Sequence, residues 1–212
     1  MPVLQRLDLV DLVSIGTATA VVVVLVVSIA LALRPHRRRP LSERQYNAEL
    51  FKRRMALEEL SYPLLNEVRI RAGKGKVLKL DQVIRLPSSV LLVTSAPADV
   101  AGQVMVNSRA GQWRYINGQG TVGTMPNPVV SLRPLIHAIR SRFPLVRIRL
   151  LTVFPQTADF RGRPPRGCCH ADGVVAAVRA MAADDGPASE AMEEAWEPLS
   201  TALRDAGGAP VA

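Results

Sequence analysis

The stretch "LPSSVLLVTSAP", residues 86–97, contains a continuous apolar run that ends in small polar side chains. Such a run is typical of a strand that is buried on both faces of a sheet. Charged residues at the end of a strand like this one could carry chemistry, but here the strand ends in Thr94, Ser95 and Ala96. The stretch is therefore either the core of a catalytic domain without its catalysts or an ordinary buried strand.

The segments around this run predict an α/β fold with a mixed central sheet flanked by helices. Alternating apolar and polar residues predict strands at 66–72 and 76–86, and further strands are expected at 102–108, 112–118 and 145–154. Helical patterns cover residues 43–60, 128–143 and 172–185. Pro134 must lie near the start of the second helix or kink it.

An uncharged segment precedes this domain. Residues 12–33, "LVSIGTATAVVVVLVVSIALAL", contain no charge, and about 20 apolar residues span a bilayer. We expect a short extracytoplasmic N-terminus (residues 1–11), a single transmembrane helix (residues 12–33) and a basic juxtamembrane linker (residues 34–42). The arginines after the helix place the C-terminal domain in the cytoplasm. The predicted location is the cell inner membrane, with one pass.

The basic linker and the overall charge predict partners that carry phosphate. The linker "RPHRRRP" contains four arginines expected to contact anionic lipid, and these are Arg34, Arg37, Arg38 and Arg39. The chain of 212 residues has a formal net charge of +9, which suits nucleic acid or anionic lipid. Arginines in the soluble part form either one patch or several, and these are Arg85, Arg109, Arg114, Arg140, Arg142, Arg147 and Arg149.

The remaining boundaries follow from composition. We expect an α/β domain over residues 43–183 and an acidic tail rich in Ala, Gly and Pro over residues 184–212. The tail is predicted to hold one short, loosely attached helix around residues 189–204, and to be available to a protein partner. Cys168 and Cys169 are the only cysteines. Because they are adjacent, no disulfide framework is expected.

Three short motifs resemble binding sites without their usual context. "GQGTVG" (residues 118–123) matches a dinucleotide fingerprint, but the prolines that follow it oppose the helix that such a site requires. "GKGK" (residues 73–76) lacks phosphate-loop spacing and predicts a hairpin turn. "CCH" (residues 168–170) lacks the spaced pairs of a zinc site. We therefore predict a glycine-rich loop, a turn and no metal centre at these places.

Several segments, taken in order, resemble the NERD (nuclease-related) domain of the PD-(D/E)XK nuclease-like fold. "LDQVIRLPSSVLLVTSAP" is similar to a family strand–turn–strand of the form I-D-H-V-V … G-I-F-V-I-E-T-K. "AGQVMVNSRAGQWRYI" resembles the hairpin that follows, and "NPVVSLRPLIHAIRSRF" resembles N-P-L-x-Q-N followed by a helix. "VRIRLLTVF" resembles the next core strand. The resemblance covers less than half of the chain and implies a restriction-endonuclease-like fold.

The resemblance also implies where a metal site would lie. In the family, an Asp and a Glu on neighbouring strands hold a divalent metal, and a Lys two residues after the Glu positions or activates water. Here Asp81 matches the Asp, Thr94 matches the Glu and Ala96 matches the Lys. The family's His and helix Gln are replaced by Gln82 and Ser131, whereas Asn127 and Pro128 remain; Glu49 is a loose match to an upstream acid.

These matches imply a domain that has lost its metal site and needs no cofactor. The expected function is a membrane-anchored binding or scaffold module, with nucleic acid as one candidate partner, and enzymatic activity is left open. The alternative is an active Mg-dependent nuclease with relocated residues. In it Lys79 would serve beside Asp81, and a second carboxylate would come from Glu49, Glu67 or Asp99. A structural or assembly protein of the membrane is a third hypothesis.

Overall fold

The computed structural model describes residues 39–72, 76–107, 109–117, 119–160 and 165–206. The chain divides after Arg37 into two units. The first unit, which includes the predicted membrane helix at residues 12–33, lies outside the described residues, as do the linker arginines before Arg39. Within the described ranges, no helix is both long and apolar enough to cross a membrane.

The described part of the second unit alternates between strands and helices. The helices are α1 (Glu43–Glu58), α2 (Pro128–Ser131), α3 (Arg133–Arg142), α4 (Val174–Asp185) and α5 (Glu190–Asp205). The strands are β1 (Leu64–Ala72), β2 (Lys76–Arg85), β3 (Ser89–Ser95), β4 (Gly102–Met105), β5 (Gln112–Ile116), β6 (Val122–Pro126), β7 (Arg147–Phe154), β8 (Ala158–Phe160) and β9 (Cys168–His170).

The first sheet has β3 at its centre. Its strand order is β1-β2-β3-β7-β9, in which β1, β2 and β3 form an antiparallel meander and β7 and β9 run parallel to β3. The first five residues of β3 are all buried. The prediction of a strand buried on both faces is confirmed.

Helices cover both faces of this sheet. Leu92 packs on one face with Leu135 of α3, in a cluster that also includes residues of α5. Leu91 packs on the other face with Leu57 of α1, together with residues of α4. Because side chains alternate along a strand, "VLLV" supplies both faces in turn. The predicted mixed sheet flanked by helices is therefore confirmed for this part of the domain.

A second sheet corrects the prediction of one central sheet. The strands near 102–108 and 112–118 pair with β6 and β8, in the order β6-β5-β4-β8. The chain turns into this sheet at Gly102, where φ is +77° and a Cβ would lie 2.3 Å from the Ile116 carbonyl oxygen. Trp113 and Phe154 then pack in a third cluster. Alternation in the sequence predicts strands but does not say which sheet they join.

The predicted helix at 128–143 is two helices. Asn127 caps α2 through its Oδ1, which accepts from the Val129 N–H at 3.0 Å, and the chain turns at Leu132. Pro134 lies in the first turn of α3, where its missing N–H has no helical partner to lose. The helix predicted over residues 128–143 is therefore interrupted just before Pro134, which does not lie near its start.

The C-terminal helix is packed rather than loosely attached. α5 starts and ends within one residue of the predicted helix, but Met192, Leu199 and Leu203 are buried in the same cluster as Leu92. The spacing of these three residues places them on one helical face. The folded domain therefore continues beyond residue 183, because α5 contributes its apolar face to the core.

Polar side chains fix the start of β3 to the end of α4. The Asp185 carboxylate accepts hydrogen bonds from the Ser89 hydroxyl at 2.5 Å and the Ser88 N–H at 3.3 Å. Its other oxygen lies 2.7 Å from an Arg149 guanidinium nitrogen, although this contact lacks the alignment of a good hydrogen bond. We call Ser88, Ser89, Arg149 and Asp185 the amino-end cluster.

Candidate functional site

The carboxyl end of β3 is the place where the resemblance implies a metal site. Thr94 and Ser95 are half-buried, and Ala96 is fully buried just beyond the strand. The Ala96 N–H donates to the Val153 carbonyl at 2.8 Å, which continues the pairing with β7. The backbone is therefore held firmly, and the side chains that reach this end decide what it can do.

Arg53 of α1 reaches this strand end from within the domain. Ser42 and Gln45 form a capping box that sets the start of α1, and Arg53 lies one turn before the buried Leu57 on the same face. Arg53 is only 5% exposed. One guanidinium nitrogen donates to the Ser95 hydroxyl at 2.6 Å, and the other lies 3.3 Å from the Asp81 carboxylate. We call Arg53, Asp81 and Ser95 the carboxyl-end cluster.

An irregularity in β1 and β2 surrounds Asp81. The pairs Asn66–Gln82 and Val68–Leu80 flank a position where Glu67 has φ +51°, a conformation that is uncommon for residues other than Gly. The pairing of β2 with β3 ends at Gln82 and Val93, the residues next to Asp81 and Thr94 in sequence. Asp81 therefore lies where both neighbouring ladders of β2 are interrupted.

The contact between Arg53 and Asp81 is electrostatic rather than a directed hydrogen bond. The 3.3 Å separation satisfies an ion pair, yet the buried Asp81 Oδ2 and the Arg53 Nε have no well-aligned hydrogen-bond partner within the described residues. Both observations hold because Coulomb attraction does not need the alignment that a hydrogen bond requires. The side chains are only 4% and 14% exposed, so solvent screens the pair weakly.

Tyr46 and Glu49 complete the surroundings of Arg53. The Tyr46 hydroxyl donates to the Ala96 carbonyl at 2.8 Å, and burial raises the pKa of Tyr46. Burial also raises the pKa of Glu49, while Arg53 acts in the opposite direction and Asp172 adds to the increase. These side chains line a cavity of about 10 Å³, which is at the lower limit for one water molecule and too small for a substrate.

The side chains at this end do not fit a magnesium site. Magnesium prefers several oxygen ligands in octahedral geometry, whereas Thr94 is neutral, Ala96 has no donor atom and the Asp81 carboxylate faces a guanidinium. In the described part of the chain, no group of three or more His, Cys, Asp or Glu side chains is arranged to hold a metal ion. We therefore derive no step through a metal.

The residues considered for a relocated site are engaged in separate contacts. Glu67 is exposed and lies 3.7 Å from Arg54. Asp99 accepts a hydrogen bond from the Tyr115 hydroxyl at 2.7 Å, and this contact, after burial, raises the pKa of Tyr115 to about 12. Lys79 is exposed, and no ion pair among the described residues joins it to Asp81. Glu49 shares the neighbour Arg53 with Asp81.

The cysteines of "CCH" point into different clusters. Cys168, Cys169 and His170 form β9, where neighbouring side chains face opposite sides. Cys169 packs with the cluster around Leu91, and Cys168 packs against the cluster around Trp113. Burial raises the pKa of Cys168 to about 12 and of Cys169 to about 11, so both thiols stay protonated at neutral pH.

The other motifs have structural roles where they are described. β6 begins within "GQGTVG", at Val122, and pairs with β5. The described residues 119–123 therefore lead into a strand and not into a helix, as expected for a glycine-rich loop. Residues 73–75 of "GKGK" lie outside the described residues. Asn127 caps α2 and donates to the Ala110 carbonyl at 2.7 Å, which joins α2 to the loop before β5.

Sequence reasoning missed Arg53, the side chain at the centre of this site. The run "KRR" at residues 52–54 has the composition of a solvated helix face. The available signal was its spacing, because Arg53 precedes Leu57 by four residues and therefore shares its buried face.

Comparisons of the chain with protein-family models, with curated proteins and with solved structures gave no match.

Proposed function

We propose that this chain is a membrane-anchored, non-catalytic binding module built on a NERD-like, restriction-endonuclease-like scaffold. The observation that carries the proposal is the position of Arg53, whose guanidinium contacts Asp81 and Ser95 at the end of β3. A metal-dependent nuclease concentrates negative ligands at such a place. Here a side-chain cation neutralises the one matched carboxylate instead.

The topology of the first sheet is compatible with the resemblance. An antiparallel meander (β1, β2 and β3) is followed, after the second sheet, by α3 and the parallel strand β7. Gln82 and Val93, which adjoin Asp81 and Thr94 in sequence, are paired in this sheet. These features support the scaffold, while the residues at the two positions support the loss of catalysis.

The membrane part of the proposal rests on the sequence. The uncharged residues 12–33 and the arginines that follow support a single pass through the inner membrane, with the α/β domain in the cytoplasm. Arg34, Arg37, Arg38 and Arg39 would contact anionic lipid. Two further partners are proposed for the domain: nucleic acid for its basic surface, and a protein for the acidic exposed face of α5.

The test compares cleavage with binding in the full chain, purified in a neutral detergent. We expect no cleavage of plasmid or linear DNA with Mg²⁺ or Mn²⁺, and no calorimetric heat from either ion that depends on Asp81. Asp81→Ala is the matched variant, because it removes the only matched carboxylate. Cleavage that requires a divalent ion and disappears in Asp81→Ala would overturn the proposal in favour of the relocated nuclease.

A further inference from the structure

The arginines of one long segment have no acidic neighbours in sequence. Residues 100–158 contain seven arginines, no lysine and no Asp or Glu. This segment includes the helices α2 and α3 and the strand β7, which lies beside β3. Charge is therefore segregated along the chain, and α3 is the element of this segment on which exposed arginines share one face.

Three basic side chains form a line on the exposed face of α3. Leu135 and Ile139 are buried in the core, whereas Arg133, His137 and Arg140 are exposed. The latter three follow the i, i+4, i+7 spacing of one helical face and extend over about 10 Å along the axis. We call these three residues the arginine stripe.

The charges of the arginine stripe are not neutralised by ion pairs. In the described part of the chain, Arg133 and Arg140 have no carboxylate within ion-pair distance. Arg149 of the same segment differs, since it contacts Asp184 and Asp185. The stripe therefore presents positive charge without an internal counter-ion.

The composition of the exposed face of α3 suits contact with phosphate groups better than insertion into the interior of a bilayer. Apart from the stripe, the exposed residues of α3 include Pro134, Ala138 and Ser141, none of which is a large apolar side chain. A helix that lies in a membrane surface needs such side chains on its lipid face, but the apolar face of α3 is already buried in the core. On α3 itself the stripe shares its face with small side chains, and the exposed Leu145 lies beyond the end of the helix. Such a face suits the backbone of a nucleic acid.

We propose that the arginine stripe is the surface through which this chain binds the phosphate backbone of nucleic acid, independently of base sequence. The inference rests on the proposed binding role and names its partner and its surface. It does not depend on the loss of catalysis. Arginine contacts to phosphate fix the position of a protein on a duplex without reading sequence.

The experiment measures binding of the full chain, in neutral detergent, to a short fluorescein-labelled DNA duplex of arbitrary sequence. Anisotropy is recorded over a range of salt concentrations for the parent chain and for Arg133→Gln/Arg140→Gln. The control, Arg69→Gln/Arg179→Gln, removes the same charge from exposed positions on β1 and α4. We expect the stripe variant to lower the slope of log affinity against log salt by about 2, since each duplex phosphate contact contributes about 0.9.

Two outcomes would overturn the inference. An equal loss in the control would mean that binding depends on net charge rather than on the stripe. A parent chain that does not bind the duplex would also overturn it, and would leave anionic lipid as the phosphate-bearing partner of this surface. DNA cleavage by the parent chain would overturn the non-catalytic proposal and leave the stripe standing.

Discussion

A polar cluster holds each end of β3. One cluster is centred on a carboxylate and the other on a guanidinium. The amino-end cluster places a carboxylate at its centre, because Asp185 contacts Ser89 and Arg149. The carboxyl-end cluster places a guanidinium at its centre, because Arg53 contacts Ser95 and Asp81. Each cluster thus contains a serine of β3, an aspartate and an arginine, and the amino-end cluster adds Ser88.

Because similar side chains hold the amino end of β3, the carboxyl-end cluster does not need a catalytic explanation. A buried strand end has polar groups that must be satisfied, and at each end of β3 a helix supplies the charged side chain that does so: α4 at one end and α1 at the other. The clusters differ in the quality of their contacts. Asp185 accepts directed hydrogen bonds, whereas Asp81 is held by a longer, poorly aligned ion contact.

The largest expected fall in the free energy of unfolding follows from removal of the Asp185 carboxylate. Asp185→Ala leaves the buried Ser89 hydroxyl without its acceptor and leaves Arg149 with only its longer contact to Asp184, and we expect a loss of about 3–5 kcal/mol of unfolding free energy. Urea denaturation followed by circular dichroism measures this loss. Asp184→Ala is the matched control, since its side chain is 79% exposed, and it should cost less than about 1 kcal/mol. Equal losses would mean that the amino-end cluster is not a structural centre.

The second largest expected fall in the free energy of unfolding follows from removal of the Arg53 guanidinium. Arg53→Gln removes the cation beside Asp81, and we expect a loss of about 2–3 kcal/mol in the same denaturation experiment, because a carboxylate would remain partly buried without its ion pair. Arg54→Gln is the adjacent control. Its side chain is 44% exposed, so its ion pairs should contribute less than about 1 kcal/mol.

A double-mutant cycle separates the ion pair from other roles of Arg53. Asp81→Asn removes the charge of the partner, and the cycle with Arg53→Gln should give a coupling energy of about 1 kcal/mol for residues in contact. A coupling near zero would show that Arg53 stabilises the domain through Ser95 and packing alone. The carboxyl-end cluster would then no longer be the counterpart of the amino-end cluster.

Sequence patterns predicted the long elements of this fold because their signals are local. The apolar run of β3 and the alternation in β1 and β2 fix the central sheet. β8 and β9 have three residues each, which is too short for a period-2 pattern to be read. β6 contains glycine and proline, which are uncommon in strands. The packing of α5 depends on spaced residues within an acidic segment, where composition concealed the apolar face.

The polar clusters were less predictable than the strands. The resemblance pointed to Asp81 and to the end of β3, and there the structure has a polar cluster. It did not point to Arg53, because residue 53 lies before the segments that match. Asp185 and Ser89 are separated by 96 residues, so no local pattern connects them.

The smallest expected effect concerns Glu49, the second carboxylate near Arg53. Because burial raises its pKa in the folded state, the fold binds this proton more tightly than the unfolded chain does. The associated stability is present below the ordinary glutamate pKa and is lost as the pH rises through the raised value. Glu49→Gln should therefore stabilise the domain at neutral pH, by less than about 0.5 kcal/mol, and the two proteins should converge below about pH 4.

Thermal melting of both proteins across this pH range measures the difference. In an Arg53→Gln background the gain from Glu49→Gln should be larger, because Arg53 opposes the effect of burial on Glu49. The same substitution at the other end, Asp184→Asn beside Arg149, should give no comparable gain, since Asp184 is largely exposed and is not desolvated. If Glu49→Gln destabilised the domain at neutral pH, attraction to Arg53 would outweigh burial. The carboxyl-end cluster would then be a network of two carboxylates around one arginine, closer in kind to the amino-end cluster than the present contacts indicate.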